Sequence, residues 1–386
     1  MPDRPSTARP RILCISLAPF RNDARVLRQV GVLREFGDVT TVGFGPAPDG
    51  VADHIEVPVG LKTLPQTVGG VIGLALRRWK QSELAAPAVR YAYEALKDRE
   101  FDLVVANEAR VLGLGHTLAK GAPVWGDMHE WSPGERTHIL SWRLLVGPFM
   151  TYLCAKYLPI SAAVTAVSDS VAKLYDEHFG IRTHVMRNTG PYRDLKIQPV
   201  ADDRIRLVHS GVAVHGRKIE LMIDVMKQLD ERYTLEMWLM AGQDGGAYLK
   251  VLKARAGGDP RIIFHDPVAP TSLPDVINNG DIGVFWLPPT HTNARYTLPN
   301  KFFDFVQARL AIAVGPTIEM ALLTRKYHLG VVSDGFEIDD LVRSIRELDV
   351  EAIRAAKKAS DAAARELSFD TDANVARGFL RAALAR

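Results

Sequence analysis

The chain has 386 residues, of which 47% are hydrophobic and 24% are charged, and its 48 Lys and Arg residues against 45 Asp and Glu residues give a net charge of +3. These fractions exclude a disordered, fibrous or coiled-coil protein. The near-neutral charge argues against nucleic acid as a partner. At roughly 150 residues per domain, the length predicts two domains. Cys14 and Cys154 are too few for a disulfide framework or a thiolate zinc site, so we expect buried thiols in a reducing compartment.

The first predicted element is an apolar run over residues 12–20 that follows several basic residues. This arrangement resembles the start of a secretory leader. However, Arg21 and Asp23 follow at once and no small-residue cleavage pattern is present, so we interpret the run as a buried strand. The longest uncharged stretches fall short of the ~18–20 residues that a membrane-spanning helix needs. The sequence therefore predicts no membrane span and a cytoplasmic location.

Short apolar runs alternate with helical patterns through the first half of the chain. Apolar residues near the 3.6-residue period predict a helix over 24–36, and we expect Gly37 to end it in the left-handed conformation. Ser168 is predicted to cap a second helix over 169–179, which Gly180 ends. The strands predicted in this half are residues 12–16, 39–43, 103–106, 123–126, 163–167 and 184–186.

A polar stretch over residues 189–204 then predicts a linker, after which the alternation restarts. The predicted strands are residues 205–209, 235–240, 262–265, 282–285, 311–314 and 330–332, and the predicted helices are residues 219–229, 247–256, 301–308, 320–327 and 338–348. Alternation of this kind is typical of parallel sheets covered by helices on both faces. The sequence therefore predicts an α/β protein with two Rossmann-like domains, residues 1–195 and 196–365, facing across a cleft.

In open parallel sheets, ligands bind beyond the carboxyl ends of the strands. The segment after strand 205–209 contains Gly211, which lets a ligand approach the backbone, and then Arg217 and Lys218 before a predicted helix. A guanidinium, an ammonium and free backbone N–H groups suit a diphosphate. A solvated basic turn is the alternative interpretation.

A second polar group follows the strand over 282–285. We expect Asn300 to cap the next helix, with Asp304 one turn further on, where its carboxylate can accept hydrogen bonds from ribose or sugar hydroxyls. A helix cap with a surface acid is the alternative.

A third polar group, at residues 126–131, directly follows the strand over 123–126. His129 has the position that a substrate contact requires, and Asp127 and Glu130 could be paired acids. Neither a metal site nor a hydrolase triad is predicted, because His129 and His138 lack metal-ligand spacing and Ser210 lacks a nucleophile elbow.

Several of these segments together resemble bacterial glycosyltransferase family 4 (group 1) proteins, which have the two-domain GT-B fold. The likeness covers roughly residues 11 to 348. The segments that carry it, in the order and spacing of that family, are residues 22–28, 127–130, 166–170, 187–191, 211–217 and 298–304.

The resemblance implies a retaining, hexosyltransferase-type enzyme of polysaccharide biosynthesis that needs no metal or other cofactor. It would move a sugar from a nucleotide-diphosphate donor to a glycan, lipid-linked or small-molecule acceptor. Arg217 and, with it, Lys218 would neutralise the departing diphosphate, His129 would lie near the donor sugar, and a C-terminal helix over 366–386 would return to the first domain. The other implied site residues are Gly211, Asn188, Asn300, Lys301 and Asp304 for the donor, and Glu130 and Arg25 on the acceptor side.

One position departs from the family pattern. Many relatives carry two glutamates separated by seven residues; Asp304 matches the second, but Tyr296 stands at the first. The carboxylate that commonly orients the donor sugar is therefore either missing or replaced by the side chain of Asn293 or Asn300. Two alternatives are therefore kept: a catalytically silent GT-B partner subunit that binds nucleotide or glycan, and a sugar-nucleotide epimerase.

Membrane contact is a separate hypothesis. Residues 68–80 join an apolar run to the basic turn Arg77, Arg78, Trp79 and Lys80, a composition typical of an interfacial amphipathic element. Such an element would hold the protein peripherally at the inner face of the plasma membrane. The alternative is a core helix with a solvated basic end.

Overall fold

The computed structural model describes residues 9–385, without the side chain of Asn22. The chain divides into two compact units. The first comprises the residues up to Arg187, together with His291–Asn293 and the residues from Asp372 onward; the second comprises Asn188–Thr290 and Ala294–Thr371.

The first unit is built on a sheet of seven strands in the order β3-β2-β1-β4-β5-β6-β7, and every pairing is parallel. Its strands are β1 Arg11–Pro19, β2 Asp38–Phe44, β3 Asp53–Val57, β4 Leu103–Asn107, β5 Val124–Met128, β6 Ala163–Ala166 and β7 His184–Val185. Its helices are α1 Ala24–Phe36, α2 Val68–Ala75, α3 Trp79–Ser82, α4 Pro87–Leu96, α5 Leu112–Ala119, α6 Gly147–Tyr157 and α7 Asp169–Phe179. The central strands are buried on both faces, as expected for parallel sheets.

The bounds of α1 and α7 agree with prediction, and each helix begins at a side-chain cap: Asp23 Oδ1 accepts a hydrogen bond from Val26 N at 3.1 Å at the start of α1. The Ser168 side chain accepts a hydrogen bond from Val171 N at 3.4 Å, and Gly180 ends α7 with φ +62°. The prediction for Gly37 was wrong, because its φ of −167° is extended rather than left-handed. What requires glycine there is a close approach, since a Cβ atom would lie 2.2 Å from the carbonyl oxygen of Pro10.

The second unit contains six parallel strands in the order β10-β9-β8-β11-β12-β13. They are β8 Ile205–Ala213, β9 Tyr233–Ala241, β10 Ile262–His265, β11 Ile282–Phe285, β12 Ala311–Val314 and β13 Gly330–Val332. The remaining helices are α8 Glu220–Met226, α9 Ala247–Ala256, α10 Leu273–Ile277, α11 Thr292–Arg295, α12 Asn300–Gln307, α13 Ile318–Lys326, α14 Ile338–Glu347, α15 Val350–Ala363 and α16 Phe369–Leu384. The α/β class with two parallel sheets is therefore confirmed.

Strand β8 continues four residues beyond its predicted end. Residues 210–213 were expected to form a loop, but they pair with β9 as far as Ala213 and Ala241. The pairing of β8 with β11 is confined to Leu207 and Val208. Gly211 therefore lies in an extended part of β8 that β11 does not cover.

The stretch over 189–204 contains no helix or strand, yet it packs within the second unit. Arg193 N donates to Gln307 Oε1 at 2.9 Å, and Arg309 donates to the Arg193 carbonyl oxygen at 2.7 Å. The predicted linker is thus a fixed part of the second unit.

The chain ends in the first unit. An ion pair of 2.7 Å joins Arg187 to Asp372, and Phe379 packs edge-on against Trp125 with ring centroids 4.5 Å apart. Both cysteines are buried, as predicted. Within residues 9–385, no helix combines the length and apolar character needed to cross a bilayer.

Candidate active site

The carboxyl edge of the first sheet contains a buried polar network centred on Asp127, in β5. Its carboxylate accepts hydrogen bonds from Arg25 Nε at 2.8 Å and Nη2 at 2.5 Å, from Gln29 at 3.1 Å and from Thr165 at 2.5 Å. Burial alone would raise the pKa of Asp127, but the charges of Arg25 and His129 hold it well below its usual range. Asp127 is therefore a buried, fully hydrogen-bonded anion.

Arg25 is the buried cationic partner of Asp127. Its side chain is 2% exposed, and its remaining donor reaches the Met186 carbonyl oxygen at 2.5 Å. Sequence analysis assigned Arg25 to the acceptor side. The structure places it in this ion pair, so its charge acts on the site through Asp127.

His129 follows β5 and is oriented by the same carboxylate. Its Nε2 lies 3.3 Å from Asp127 Oδ2 and 3.2 Å from Asn107 Oδ1, and its Nδ1 lies 3.9 Å from Glu108 Oε1. Burial would lower the pKa of His129, but Asp127 raises it above its usual value. An imidazole held by a buried carboxylate is the arrangement of an oriented acid–base group.

Glu130 lies beside His129 in an acidic cluster that includes Glu108 and Glu135. Its Oε2 accepts a hydrogen bond from Asn293 Nδ2 at 2.5 Å. Nearby protein atoms and the negative charges of Glu135 and Glu108 raise the pKa of Glu130 to about 7, although the residue itself is exposed to solvent. Arg110 bridges the other two acids, at 2.7 Å from Glu108 and 3.5 Å from Glu135.

Sequence analysis missed Glu108 and Glu135. Glu108 directly follows β4, just as His129 follows β5, and this position at the carboxyl end of a strand is a signal that could have identified it. Its φ of +73° is rare for a residue other than glycine.

In the second unit, two cations converge on Gly211. This glycine has φ +134°, and a Cβ atom there would lie 2.8 Å from Lys301 Nζ and 3.3 Å from Arg217 Nη1. Lys301 is only 7% exposed. Burial and the charge of Arg217 lower the pKa of Lys301 well below its usual value, and burial also lowers the pKa of Arg217. A bound anion would relieve both the repulsion and the lost hydration.

His209 fixes the position of Lys301 and was not identified from the sequence. Its Nδ1 lies 2.9 Å from the Val284 carbonyl oxygen, and its Nε2 lies 3.3 Å from Lys301 Nζ. A carbonyl oxygen can only accept, so Nδ1 carries the proton and Nε2 accepts from Lys301. Burial and the charge of Lys301 hold the pKa of His209 well below its usual value, so the imidazole is neutral.

Three buried polar atoms at the same edge of this sheet have no partner. Within residues 9–385, Ser210 Oγ, Trp286 Nε1 and Thr317 Oγ1 are buried without a hydrogen bond. Ser210 lies in β8, and the other two follow β11 and β12, the next strands in the sheet. Buried polar groups in folded proteins are normally satisfied, so this group indicates a place for a polar ligand.

Two other residues predicted to bind the donor, Lys218 and Asn300, are exposed and lie outside the cation pair at Gly211. Lys218 is exposed, with φ +51°, and lies 3.7 Å from Glu220, so the ammonium that approaches Gly211 with Arg217 belongs to Lys301. The prediction that Asn300 caps α12 was wrong: Pro299 occupies the cap position without a side-chain bond, and Asn300 is the exposed first residue of the helix.

Asp304 is half-buried on α12, and its charge partly offsets the lowered pKa of Lys301. Asn188 is half-buried where the second unit begins, and its donor role rests on the family resemblance alone. Among the residues that the structure describes, no three His, Cys, Asp or Glu side chains are grouped as metal ligands.

Comparison with known proteins agrees with this architecture. The family model described as Glycosyltransferase Family 4 matches residues 38–189. No curated protein sequence matched the chain.

Solved structures match along nearly the whole chain. HepE from Anabaena, in complex with UDP-glucose, has 14% identity and a TM-score of 0.66, with 97% of this chain and 100% of HepE covered. Sucrose-phosphate synthase from Thermosynechococcus elongatus has 14% identity and a TM-score of 0.69, with 98% and 100% covered. WaaG, a glycosyltransferase involved in lipopolysaccharide biosynthesis, has 12% identity and a TM-score of 0.63, with 95% and 99% covered.

The two parallel α/β units and these structural matches show that the chain has the GT-B fold. The match of residues 38–189 to the Glycosyltransferase Family 4 model supports the family resemblance that the sequence motifs indicated.

Proposed function

We propose that the protein transfers a sugar, with retention, from a nucleoside-diphosphate donor to a glycan, lipid-linked or small-molecule acceptor in polysaccharide biosynthesis. The observation that carries this proposal is the convergence of Arg217 and Lys301 on Gly211, where both cations are partly or fully buried. A diphosphate supplies the charge and the acceptor oxygens that such a site lacks. Ser210, Trp286 and Thr317 supply donors for the rest of the nucleotide sugar.

The same cations act on the reaction. As the bond between the sugar and the β-phosphate breaks, negative charge develops on the departing oxygen. Arg217 and Lys301 stabilise that charge, and the water-poor position of Lys301 strengthens the effect. In the first unit, the family resemblance assigns His129, which Asp127 orients, to the reaction near the donor sugar, and Glu130 to the acceptor. Lys218 is at most a secondary contact.

Binding of nucleoside diphosphates to variants tests this site. Arg217→Ala and Lys301→Met should each weaken binding of the preferred nucleoside diphosphate by roughly tenfold or more, because a charge-assisted hydrogen bond contributes about 1.5–3 kcal/mol. Lys218→Ala is the matched control, because Lys218 is a neighbouring cation that already has Glu220 as its acidic partner. This variant should change the affinity by less than about threefold, since exposed ion pairs contribute little free energy. Isothermal titration with UDP, GDP, ADP and dTDP measures each affinity.

Unchanged affinity in both Arg217→Ala and Lys301→Met would contradict the assignment. A thermal melt of each variant separates lost binding from lost folding. A UDP-hexose is the first donor to test, because HepE has been solved with UDP-glucose. Transfer should persist with a chelator present if the reaction needs no metal.

Tyr296 favours a second candidate function. A half-buried tyrosine stands where the family resemblance predicts a glutamate, which would suit a silent partner subunit that binds a nucleotide or a glycan. Incubation of the purified chain with donor sugars distinguishes the possibilities. Transfer or slow donor hydrolysis supports the enzyme, an epimerised donor supports an epimerase, and nucleotide binding without turnover supports the silent subunit.

A further inference from the structure

Helix α2 exposes an almost entirely apolar surface. Gly70 and Leu74 are its only buried residues. Val68 is 80% exposed, and Leu76, directly after the helix, is 59% exposed; Val71 and Ile72 are exposed as well. Single exposed apolar residues are ordinary, but a contiguous apolar surface marks an interaction site.

A second segment enlarges this surface. The π-helical turn Trp142–Val146 lies against α2, and its buried Trp142 anchors it in the first unit. Leu144 in this turn is 62% exposed, and Leu140 just before it is also exposed. We call these side chains the apolar platform: Val68, Val71, Ile72, Leu76, Leu140 and Leu144.

The platform lies in chain segments that carry only positive charge. Residues 57–82 and 136–168 contain no Asp or Glu. Their basic residues are Lys62, Arg77, Arg78, Lys80, Arg136, Arg143 and Lys156. Since the whole chain has a net charge of +3, the rest of it is net negative, and the positive charge is concentrated here.

Several of these cations are available to a partner. Among the residues that the structure describes, Arg77, Arg78, Lys80 and Arg143 are exposed and take part in no ion pair. Glu83, the acid nearest in sequence to Arg77, Arg78 and Lys80, already binds Lys156 and Tyr152, each at 2.6 Å.

Trp79 does not belong to this surface. Its ring packs on Tyr152 with centroids 5.2 Å apart, and it is only partly exposed. The basic turn predicted as a membrane contact is thus one edge of a larger surface whose apolar centre is on α2 and the π-helical turn.

We propose that the apolar platform and its cations dock on an anionic lipid surface. Exposed apolar side chains enter the boundary between headgroups and acyl chains, while nearby Lys and Arg side chains bind anionic headgroups. A second copy of the chain is a poorer occupant, because a two-fold interface would bring the same unpaired cations face to face. This proposal does not depend on the identity of the sugar donor.

Vesicle flotation with the full chain tests the proposal. The protein should float with phosphatidylcholine vesicles that contain phosphatidylglycerol, not with phosphatidylcholine alone, and high salt should release it. Ile72→Glu, Leu144→Glu and Arg78→Glu should each weaken binding roughly tenfold or more. Leu322→Glu is the matched control, an equally conspicuous exposed leucine on α13 of the second unit, and should bind as the unmodified chain does.

Failure of the unmodified chain to float with anionic vesicles would overturn the proposal. Equal loss of vesicle binding in Leu322→Glu and Ile72→Glu would also overturn it. Unchanged vesicle binding in both Ile72→Glu and Leu144→Glu would overturn it too. If light scattering instead showed a dimer that Ile72→Glu dissociates, without vesicle binding, the platform would belong to a second copy. Unchanged nucleoside-diphosphate affinity in these variants shows that they remain folded and keeps this result separate from the donor site.

Discussion

His209 and Arg25 each act through another residue: His209 through Lys301 in the second unit, and Arg25 through Asp127 in the first. Arg217 could be identified from its position beside Gly216 and before a helix, and Lys301 through the family resemblance of residues 298–304. Neither signal could identify His209, whose partners Val284 and Lys301 are 75 and 92 residues away in the chain. A histidine at the end of an apolar strand is indistinguishable from a core residue until those strands and helices are assembled.

Replacing His209 tests this positioning role. His209→Leu removes the acceptor for Lys301 and should weaken nucleoside-diphosphate binding by roughly fivefold to tenfold, the worth of one buried hydrogen bond. His209→Gln keeps an acceptor near the Nε2 position and should restore most of the affinity. Isothermal titration across pH measures both, and the binding–pH profile should shift only in His209→Leu. Equal losses in the two variants would indicate a packing role alone.

Glu130 should make stability depend on pH. Its folded-state pKa of about 7 exceeds the ordinary value of 4.5, so between these values the folded chain binds more protons than the unfolded chain. The free energy of unfolding should therefore fall as pH rises through this range. Urea unfolding at several pH values measures the slope, which Glu130→Gln should flatten. The exposed Glu177→Gln should leave the slope unchanged, and an equally steep slope in Glu130→Gln would contradict the assignment.

At the scale of elements, helices that depend on nearby residues could be predicted from the sequence, whereas strands that depend on distant pairing partners could not. Helix α7 could be predicted with its bounds because its caps, Ser168 and Gly180, are adjacent to it in sequence, and α1 could be predicted from its apolar periodicity. Strand β3 was missed because an edge strand with alternating polar residues lacks the apolar run of a buried strand. The extension of β8 to Ala213 depends on pairing with β9, which no local pattern in residues 210–213 indicates.

Gly37 provides a matched test of one such close approach. Gly37→Ala places a methyl group 2.2 Å from the Pro10 carbonyl oxygen and should lower the free energy of unfolding by about 1–3 kcal/mol. Gly31→Ala, inside α1 with no neighbouring atom within 4 Å, should instead raise it by up to about 1 kcal/mol. Urea unfolding of the full chain measures both. An unchanged free energy of unfolding in Gly37→Ala would mean that the backbone at Pro10 can move away from the added methyl group without destabilising the fold.

At the scale of the whole molecule, the length predicted two domains, but the sequence could not show whether the stretch between them is fixed in place. Polar and proline-containing residues over 189–204 are typical of a linker. In the structure, Gln307 and Arg309 bind its backbone and make it part of the second unit. Contacts of this kind between distant residues appear only once the fold is known.

The ion pair between Arg187 and Asp372 ties the end of the chain into the first unit. Asp372→Ala leaves the largely buried Arg187 without its acidic partner and should lower the stability of the first unit by about 3–5 kcal/mol. Hydrogen exchange should then quicken in β5 and β6 and stay unchanged in β11 and β12. Asp370→Ala, at an exposed position two residues earlier in α16, is the control and should alter neither. Equal acceleration in both units would contradict this local role.

That closing contact also bears on the order in which the protein is made. The residues up to Arg187 leave the ribosome first, but Asp372 follows 185 residues later. At about 5–20 residues per second, the wait lasts roughly ten to forty seconds. The second unit is synthesised almost entirely within that interval. Synthesis of the first unit thus starts before that of the second unit and finishes after it, and until residues 372–379 emerge Arg187 and Trp125 lack their partners Asp372 and Phe379.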